Sequence, residues 1–374
     1  MIPLRALAVL GAAGLPLLAA GGCKRASAPA VRVSVQQGRL RASFGPGMTA
    51  GAQGPEGRFA AGTSRGGVVF LRRDGEAPVR LLEDLGQRPR RRPEERGPAP
   101  ASHDGRIDAL EFSPDGRHLL SAGGHSAVYW DTERREMVRQ VKGPYVVTAA
   151  AFDPEGKSVF FGTETGNVMR WSVDLPEAMG VHHFSCGATP VEPAQMALPP
   201  ARRCPVGLYL EPPVGKPICA YRVTQLVRLG DTLARACREG MVGLLDLKTR
   251  GITWALAGAL QTLTFVDKDQ LVFGRDDGEL RLYHARSQEV VRLLPGAEEQ
   301  PPDAAASAAG LVAIAQRGRV RFFHAASGEL SGAVTIPVRA TWVSLSGTPL
   351  ELTVLLEDGR LVVHSLSIDW GGKV

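Results

Sequence analysis

Gly62-Thr63-Ser64-Arg65-Gly66 has the G-x-S-x-G spacing that presents a serine nucleophile on a strand-to-helix elbow. Here strand-like runs flank it on both sides, Arg58–Ala61 and Gly67–Leu71, so it reads as a hairpin turn. Gly156-Lys157-Ser158 has the end of a phosphate-cradling loop but lacks its first glycine. His182, His183, Cys186 and Cys204 are chemically suited to zinc, yet their spacing fits no zinc pattern and oxidation competes for the thiols. Asp276-Asp277 is an acidic pair in a turn, where solvation is the ordinary fate. His284, His324 and His364 close three successive strand-like runs. His364 lies one column early, so alternation turns it to the opposite face and breaks the apparent ring. The chain has no C-x-x-C-H, no H-E-x-x-H and no EF-hand loop. These motifs lead us to expect no catalytic residue, no metal site and no cofactor.

Cys23 belongs to different chemistry. Arg5 precedes Ala6–Ala20, an uncharged run too short to cross about 30 Å of hydrocarbon comfortably and interrupted by Gly and Pro16. That layout suits a secretory signal. The run ends in Ala20-Gly21-Gly22-Cys23, which resembles a bacterial lipobox, although Ala20 stands where that pattern usually has Leu. The resemblance implies cleavage before Cys23, acylation of Cys23 and a membrane anchor. We therefore expect a lipoprotein signal peptide over 1–22 and a tether over 23–30. Lys24 follows Cys23 without the Asp that commonly marks inner-membrane retention, which favours the outer membrane and periplasm.

The elements that position these residues follow from composition. With 44 Gly and 27 Pro among 374 residues, turn formers make up about 19%, against roughly 12% on average. Apolar residues at 44% can build a core, and 22% charged residues argue against disorder. The formal charge of +6 arises from 44 basic and 38 acidic residues, too even a balance for a nucleic-acid footprint.

A repeat organises the remainder. A turn residue followed by Gly, then a short strand, recurs at Arg65-Gly66, Thr165-Gly166, Glu239-Gly240, Asp277-Gly278, Arg317-Gly318 and Asp358-Gly359, with Gly124-His125 in the same column. Most copies are about 40 residues apart, the period of a propeller blade. Preceding strands are expected at Ser158–Phe161, Leu233–Cys237, Gln270–Phe273, Leu311–Ala315 and Leu350–Leu355. Fourth strands are expected at Val79–Leu82, Met137–Val141 and Glu289–Leu294.

The block His103–Gly123 followed by Ala127–Asp131, with Ser113-Pro114-Asp115-Gly116 at its turn and Trp130-Asp131 at its end, resembles one WD40 repeat. The resemblance extends over 31–370 and implies an all-β chain: a seven-bladed β-propeller of four-stranded antiparallel blades. The family's Trp column holds Leu71, Trp130, Trp171, Leu245, Tyr283, Phe323 and His364. Its His–Ser–Asp–Trp network is matched by His103, Ser121 and Trp130, with Gly124 where Asp belongs. Blade seven lacks a fourth strand after Ser365, and Val31–Val35 is expected to supply it, so that the N-terminal strand closes the ring.

Two insertions break the period and hold 12 of the 27 prolines. Residues 86–100 carry Arg88, Arg90, Arg91, Arg92 and Arg96, a candidate contact loop for an acidic partner or anionic lipid, with no interleaved aromatics of the kind that bind nucleic acid. Residues 185–217 carry Cys186 and Cys204, with Cys219 and Cys237 beyond. In an oxidising compartment these four form candidate disulfides, of which Cys186–Cys204 and Cys219–Cys237 are one of three pairings. The family resemblance implies a non-catalytic platform for protein partners. The alternative is a cofactor- or metal-dependent propeller enzyme of lactonase-like or quinoprotein-like type, which needs a ligand cluster at the channel mouth.

The Cys23 reading has a direct test. Cys23→Ala is expected to move the protein from the membrane pellet to the soluble fraction; a variant that still pellets with membranes refutes acylation at this position.

Overall fold

A computed structural model describes residues 31–72, 76–84, 103–143, 145–166, 168–173, 181–183, 222–237, 241–248, 252–256, 260–284, 289–294 and 300–371. Cys23, Arg88, Arg90, Arg91, Arg92, Arg96, Cys186, Cys204, Cys219 and Gly240 lie outside them. Seven antiparallel sheets follow one another along the chain.

Blade one contains β3 (Met48–Gln53), β4 (Phe59–Thr63), β5 (Val68–Leu71) and β6 (Val79–Leu82). Blade two contains β7 (Ile107–Phe112), β8 (His118–Gly123), β9 (Ser126–Asp131) and β10 (Glu136–Lys142). Blade three contains β11 (Val147–Phe152), β12 (Ser158–Thr163), β13 (Val168–Ser172) and β14 (Val181–His183). Blade four contains β15 (Val223–Leu229), β16 (Thr232–Cys237), β17 (Met241–Asp246) and β18 (Ile252–Leu256). Blade five contains β19 (Leu260–Phe265), β20 (Gln270–Arg275), β21 (Leu280–His284) and β22 (Glu289–Leu293). Blade six contains β23 (Ala304–Ala308), β24 (Leu311–Gln316), β25 (Arg319–His324) and β26 (Leu330–Thr335). Blade seven contains β27 (Ala340–Ser346), β28 (Glu351–Leu356) and β29 (Arg360–Asp369), completed by β1 (Arg32–Val35) and β2 (Arg39–Ser43) from the N-terminal end.

The first strands β3, β7, β11, β15, β19, β23 and β27 touch one another in order, and β27 returns to β3, so they form a ring around the axis. Two rims follow from the up-and-down topology. Inner strands start at what we term the upper rim, where the second-to-third turns and the blade-to-blade connections also lie. First-to-second and third-to-fourth turns lie at the lower rim.

The turn column has a physical cause. At Thr63–Gly66, Thr163–Gly166 and Arg275–Gly278 the glycine N–H donates to the carbonyl three residues back, and the glycine φ lies between +77° and +86°. This is a type I turn followed by a left-handed residue, a geometry that glycine adopts at least cost. At Gly359 a Cβ would also collide with the Gly45 carbonyl on the closing segment.

Hydrophobic packing is divided among the blade interfaces. Seven buried clusters form, one between each successive pair of blades. The middle strands serve two interfaces at once, because alternate residues face opposite ways. In blade two, Leu119, Val128 and Trp130 pack towards blade one, whereas Leu120, Ala122, Ala127 and Tyr129 pack towards blade three. The Trp column obeys one rule: Leu71, Trp130, Trp171, Leu245, Tyr283 and Phe323 each pack into the interface with the preceding blade.

Closure extends further than the expected Val31–Val35 strand. β1 pairs with the end of β29, from Arg32 opposite Asp369 to Val35 opposite Leu366, and β2 pairs with its beginning, from Arg39 opposite Val363 to Ser43 opposite Arg360. The chain therefore runs along all ten residues of β29 with a break at 36–38. His364 bridges the break. Its Nδ1 faces the Gln36 carbonyl at 3.3 Å, and its ring lies so close to Gly38 that a Cβ there would overlap it. Ser365, not His364, occupies the register position equivalent to His284 and His324, in keeping with the column offset.

Burial holds the His364 imidazole below its ordinary value of 6.5, with the Gln36 bond opposing. The unfolded chain thus takes up this proton first, so no penalty exists above about pH 6.5 and stability falls as pH drops below it. His364→Gln keeps a neutral donor and is expected to flatten the fall in Tm between pH 7 and 5; an unchanged slope refutes the role of His364 in closure.

Candidate binding surface

A ring of inner strands leaves one edge of each without a ladder partner, and those backbone groups need other partners. Polar side chains of neighbouring inner strands supply them. Thr49 donates to the Ile107 carbonyl and Thr148 to the Val223 carbonyl, both at 2.6 Å. The Phe152 N–H donates to Glu111 Oε2 at 2.9 Å, and the Leu263 N–H to Gln225 Oε1. Ser307 donates to the Phe265 carbonyl, and Gln53 meets Ser346 across the ring seam at 2.9 Å.

Six inner strands share a β-bulge at their second residue: Thr49, Asp108, Thr148, Thr224, Gln261 and Thr341. Only β23 is regular. This polar column at the upper rim escaped the sequence reading. Its signal is an apolar residue followed by Thr at blade spacing.

Asp108 is the charged member of that column. Its side chain is 6% exposed, with Arg106 Nε at 2.8 Å and Arg222 Nη2 at 3.1 Å from one oxygen. Burial raises its pKa against both guanidinium groups. Arg222 stands just before β15, so the pair reaches from blade two to blade four.

Glu111, on the same strand near the lower rim, is pushed up to about 8 by burial, against the Arg228 charge and the Phe152 N–H. It is therefore a neutral acid at pH 7. Arg235 is buried in β16, donates to the Gly166 carbonyl at 3.2 Å, and is lowered to about 10 by burial.

The buried network of blade two is complete. Trp130 Nε1–H donates to Ser121 Oγ, and the Ser121 hydroxyl meets His103 Nε2, both at 2.9 Å. This order leaves the His103 proton on Nδ1, which faces Ser126 Oγ at 2.9 Å and the Gly123 carbonyl at 3.2 Å. Ser126 and a carbonyl thus do the work expected of an Asp in the position of Gly124. Blade three keeps the Trp without the network. Trp171 Nε1 is buried with no hydrogen-bond partner among the described residues, and Arg139 lies 6.0 Å over its ring.

The described residues of the motifs weighed for chemistry lie in turns and on strands. Ser64 sits in the β4–β5 turn, where its N–H donates to the Gly47 carbonyl. Lys157 pairs with Glu155 in solvent, and Asp277 with Arg275. His182 and His183 lie on β14. Among the described residues, no group of three or more His, Cys, Asp or Glu could hold a metal ion, and no helix is long and apolar enough to cross a membrane.

No protein-family model and no curated protein matches the sequence. The fold has solved counterparts. The crystal structure of the RRP9 WD40 repeats superposes with a TM-score of 0.66 at 13% identity, covering 89% of this chain and 100% of that one. The chain has the fold of a WD40-repeat-like, seven-bladed β-propeller.

Glu111 gives this wall a measurable signature. The unfolded chain loses the proton near the ordinary 4.5 and the folded chain near 8, so stability drops as pH rises between the two. Glu111→Gln keeps an acceptor for Phe152 and is expected to be the more stable protein at pH 9, by ~1–3 kcal/mol, about the cost of a poorly compensated buried polar group. Equal denaturant midpoints at pH 9 contradict the assignment.

Proposed function

We propose that this chain is an exported, lipid-anchored propeller that acts as a non-catalytic platform for protein partners, with the upper rim as its binding face. One observation carries the reading. Both insertions connect the fourth strand of one blade to the first strand of the next: the first leaves after β6 and returns at β7, the second leaves after β14 and returns at β15. Topology therefore roots both on the same rim, and the Asp108–Arg222 pair ties their returning ends together at 3.1 Å. A rigid scaffold that concentrates its irregular loops on one face is the ordinary design of a recognition surface.

Arg88, Arg90, Arg91, Arg92 and Arg96 in the first insertion favour an acidic protein surface. Export to the periplasmic side of the outer membrane suits the thiols too. Cys237, fully buried at the upper-rim end of β16, is a candidate for a disulfide. Cys186, Cys204 and Cys219, in or beside the second insertion, are the candidate partners, so such a bond staples the insertion root to the rim. No cofactor and no nucleic acid enters this reading.

In-cell crosslinking followed by affinity purification tests it. A defined partner is expected with the intact chain and is expected to be lost, at unchanged Tm, when residues 88–96 are deleted. Stoichiometric metal or a visible chromophore in the purified protein, or capture unaffected by the deletion, refutes the platform reading or its Arg-loop surface respectively.

A further inference from the structure

At the lower rim, blades six and seven leave two large apolar side chains in solvent. Trp370 is 47% exposed and Leu330 is 50% exposed. Trp370 follows β29 and sets its ring edge-on to His324, centroids 6.0 Å apart, beside Gly310 in the β23–β24 turn. Leu330 opens β26 opposite Phe323, the neighbour of His324. The N-terminal strand starts at the same level: Arg32 pairs with Asp369, and Val33 packs against Gly332. Trp370, Leu330 and Val31 therefore share one corner of the propeller. Among the described residues, the charges of this corner are Arg32, Glu329 and Asp369, all exposed and without an excess of positive charge. Among the described residues, the other exposed apolar side chains on outer strands are Leu40, Val138 and Val290, which lie on different blades from one another and build no such corner.

The position of Val31 decides the occupant. Cys23 lies eight residues before it, and a fully extended chain gains at most ~3.6 Å per residue, so an acylated Cys23 sits within about 29 Å of this corner. A contact held that close is effectively intramolecular, and even weak apolar contact is then populated. Trp is the side chain best suited to the headgroup level, with an apolar body and one N–H for water or phosphate.

We propose that Trp370 and Leu330 form a second contact with the lipid surface beneath the anchor. This contact turns the lower rim to the bilayer and the upper rim, with both insertion roots, away from it. The proposal rests on the lipid-anchor reading. Its occupant is a lipid surface recognised through apolar burial rather than charge.

The test uses the full-length acylated protein in vesicles of phosphatidylethanolamine and phosphatidylglycerol whose acyl chains carry bromine. Bromine is expected to quench part of the tryptophan emission, a part that Trp370→Phe removes and Leu330→Asp reduces at least twofold. Quenching that is equal in wild type and Trp370→Phe, or absent from vesicle-bound protein, overturns the proposal. The intact mass separates the two readings. Acyl chains without quenching sink this contact alone; a protein without acyl chains sinks the anchor and, with it, the contact.

Discussion

Everything in this molecule depends on the ring being closed. Each blade buries two faces, and each hydrophobic cluster belongs to two blades rather than one. An open ring would leave a whole interface in water, at ~25 cal/mol for each Å² of apolar surface exposed. The seam at blade seven is held by residues from opposite ends of the chain. Val31 and Val33 enter the cluster between blades six and seven, and Phe44 enters the one between blades seven and one. The N-terminal segment thus seals two interfaces as well as one sheet.

Closure creates the polar problem that the inner wall solves. Seven inner edges crowd the axis, and their unpaired amides and carbonyls are served by Thr49, Thr148, Glu111, Gln225 and Ser307. The raised pKa values of Glu111 and Asp108 are the cost of placing acids in that wall. Perturbed acids in a channel suggest catalysis at first sight. Here each has a structural partner: the Phe152 N–H for Glu111, and the Arg106 and Arg222 guanidinium groups for Asp108. The departures from regularity collect instead on the upper rim.

The blades were legible because the repeat is written in backbone needs. A glycine at the left-handed position of one turn, and a large residue at the interface column, survive where the WD40 signature itself does not. Val31–Val35 was legible as an alternating strand without a partner. β2 was not, because Arg39–Ser43 is short, carries two arginines and leaves even Leu40 exposed, as an outer strand in solvent can. The substitution of Ser126 and a carbonyl for an acid was also hidden, since a sequence column cannot show that a hydroxyl two residues on reaches the same nitrogen. Nor could spacing reveal Asp108–Arg222, which joins residues 114 apart in sequence. The two insertions were legible as interruptions, and the shared rim of their roots came only from the strand order.

The way β1 lies on β29 also fixes how this propeller bears load. β1 enters at the lower rim and runs antiparallel to β29 from Arg32 opposite Asp369. A pull on the N-terminus along the strand direction therefore stresses the β1–β29 bonds together, in shear, instead of peeling them one at a time. Beyond the break at 36–38, β2 forms a second latch in series. Load applied at the N-terminus is therefore carried by the same strand that completes the fold.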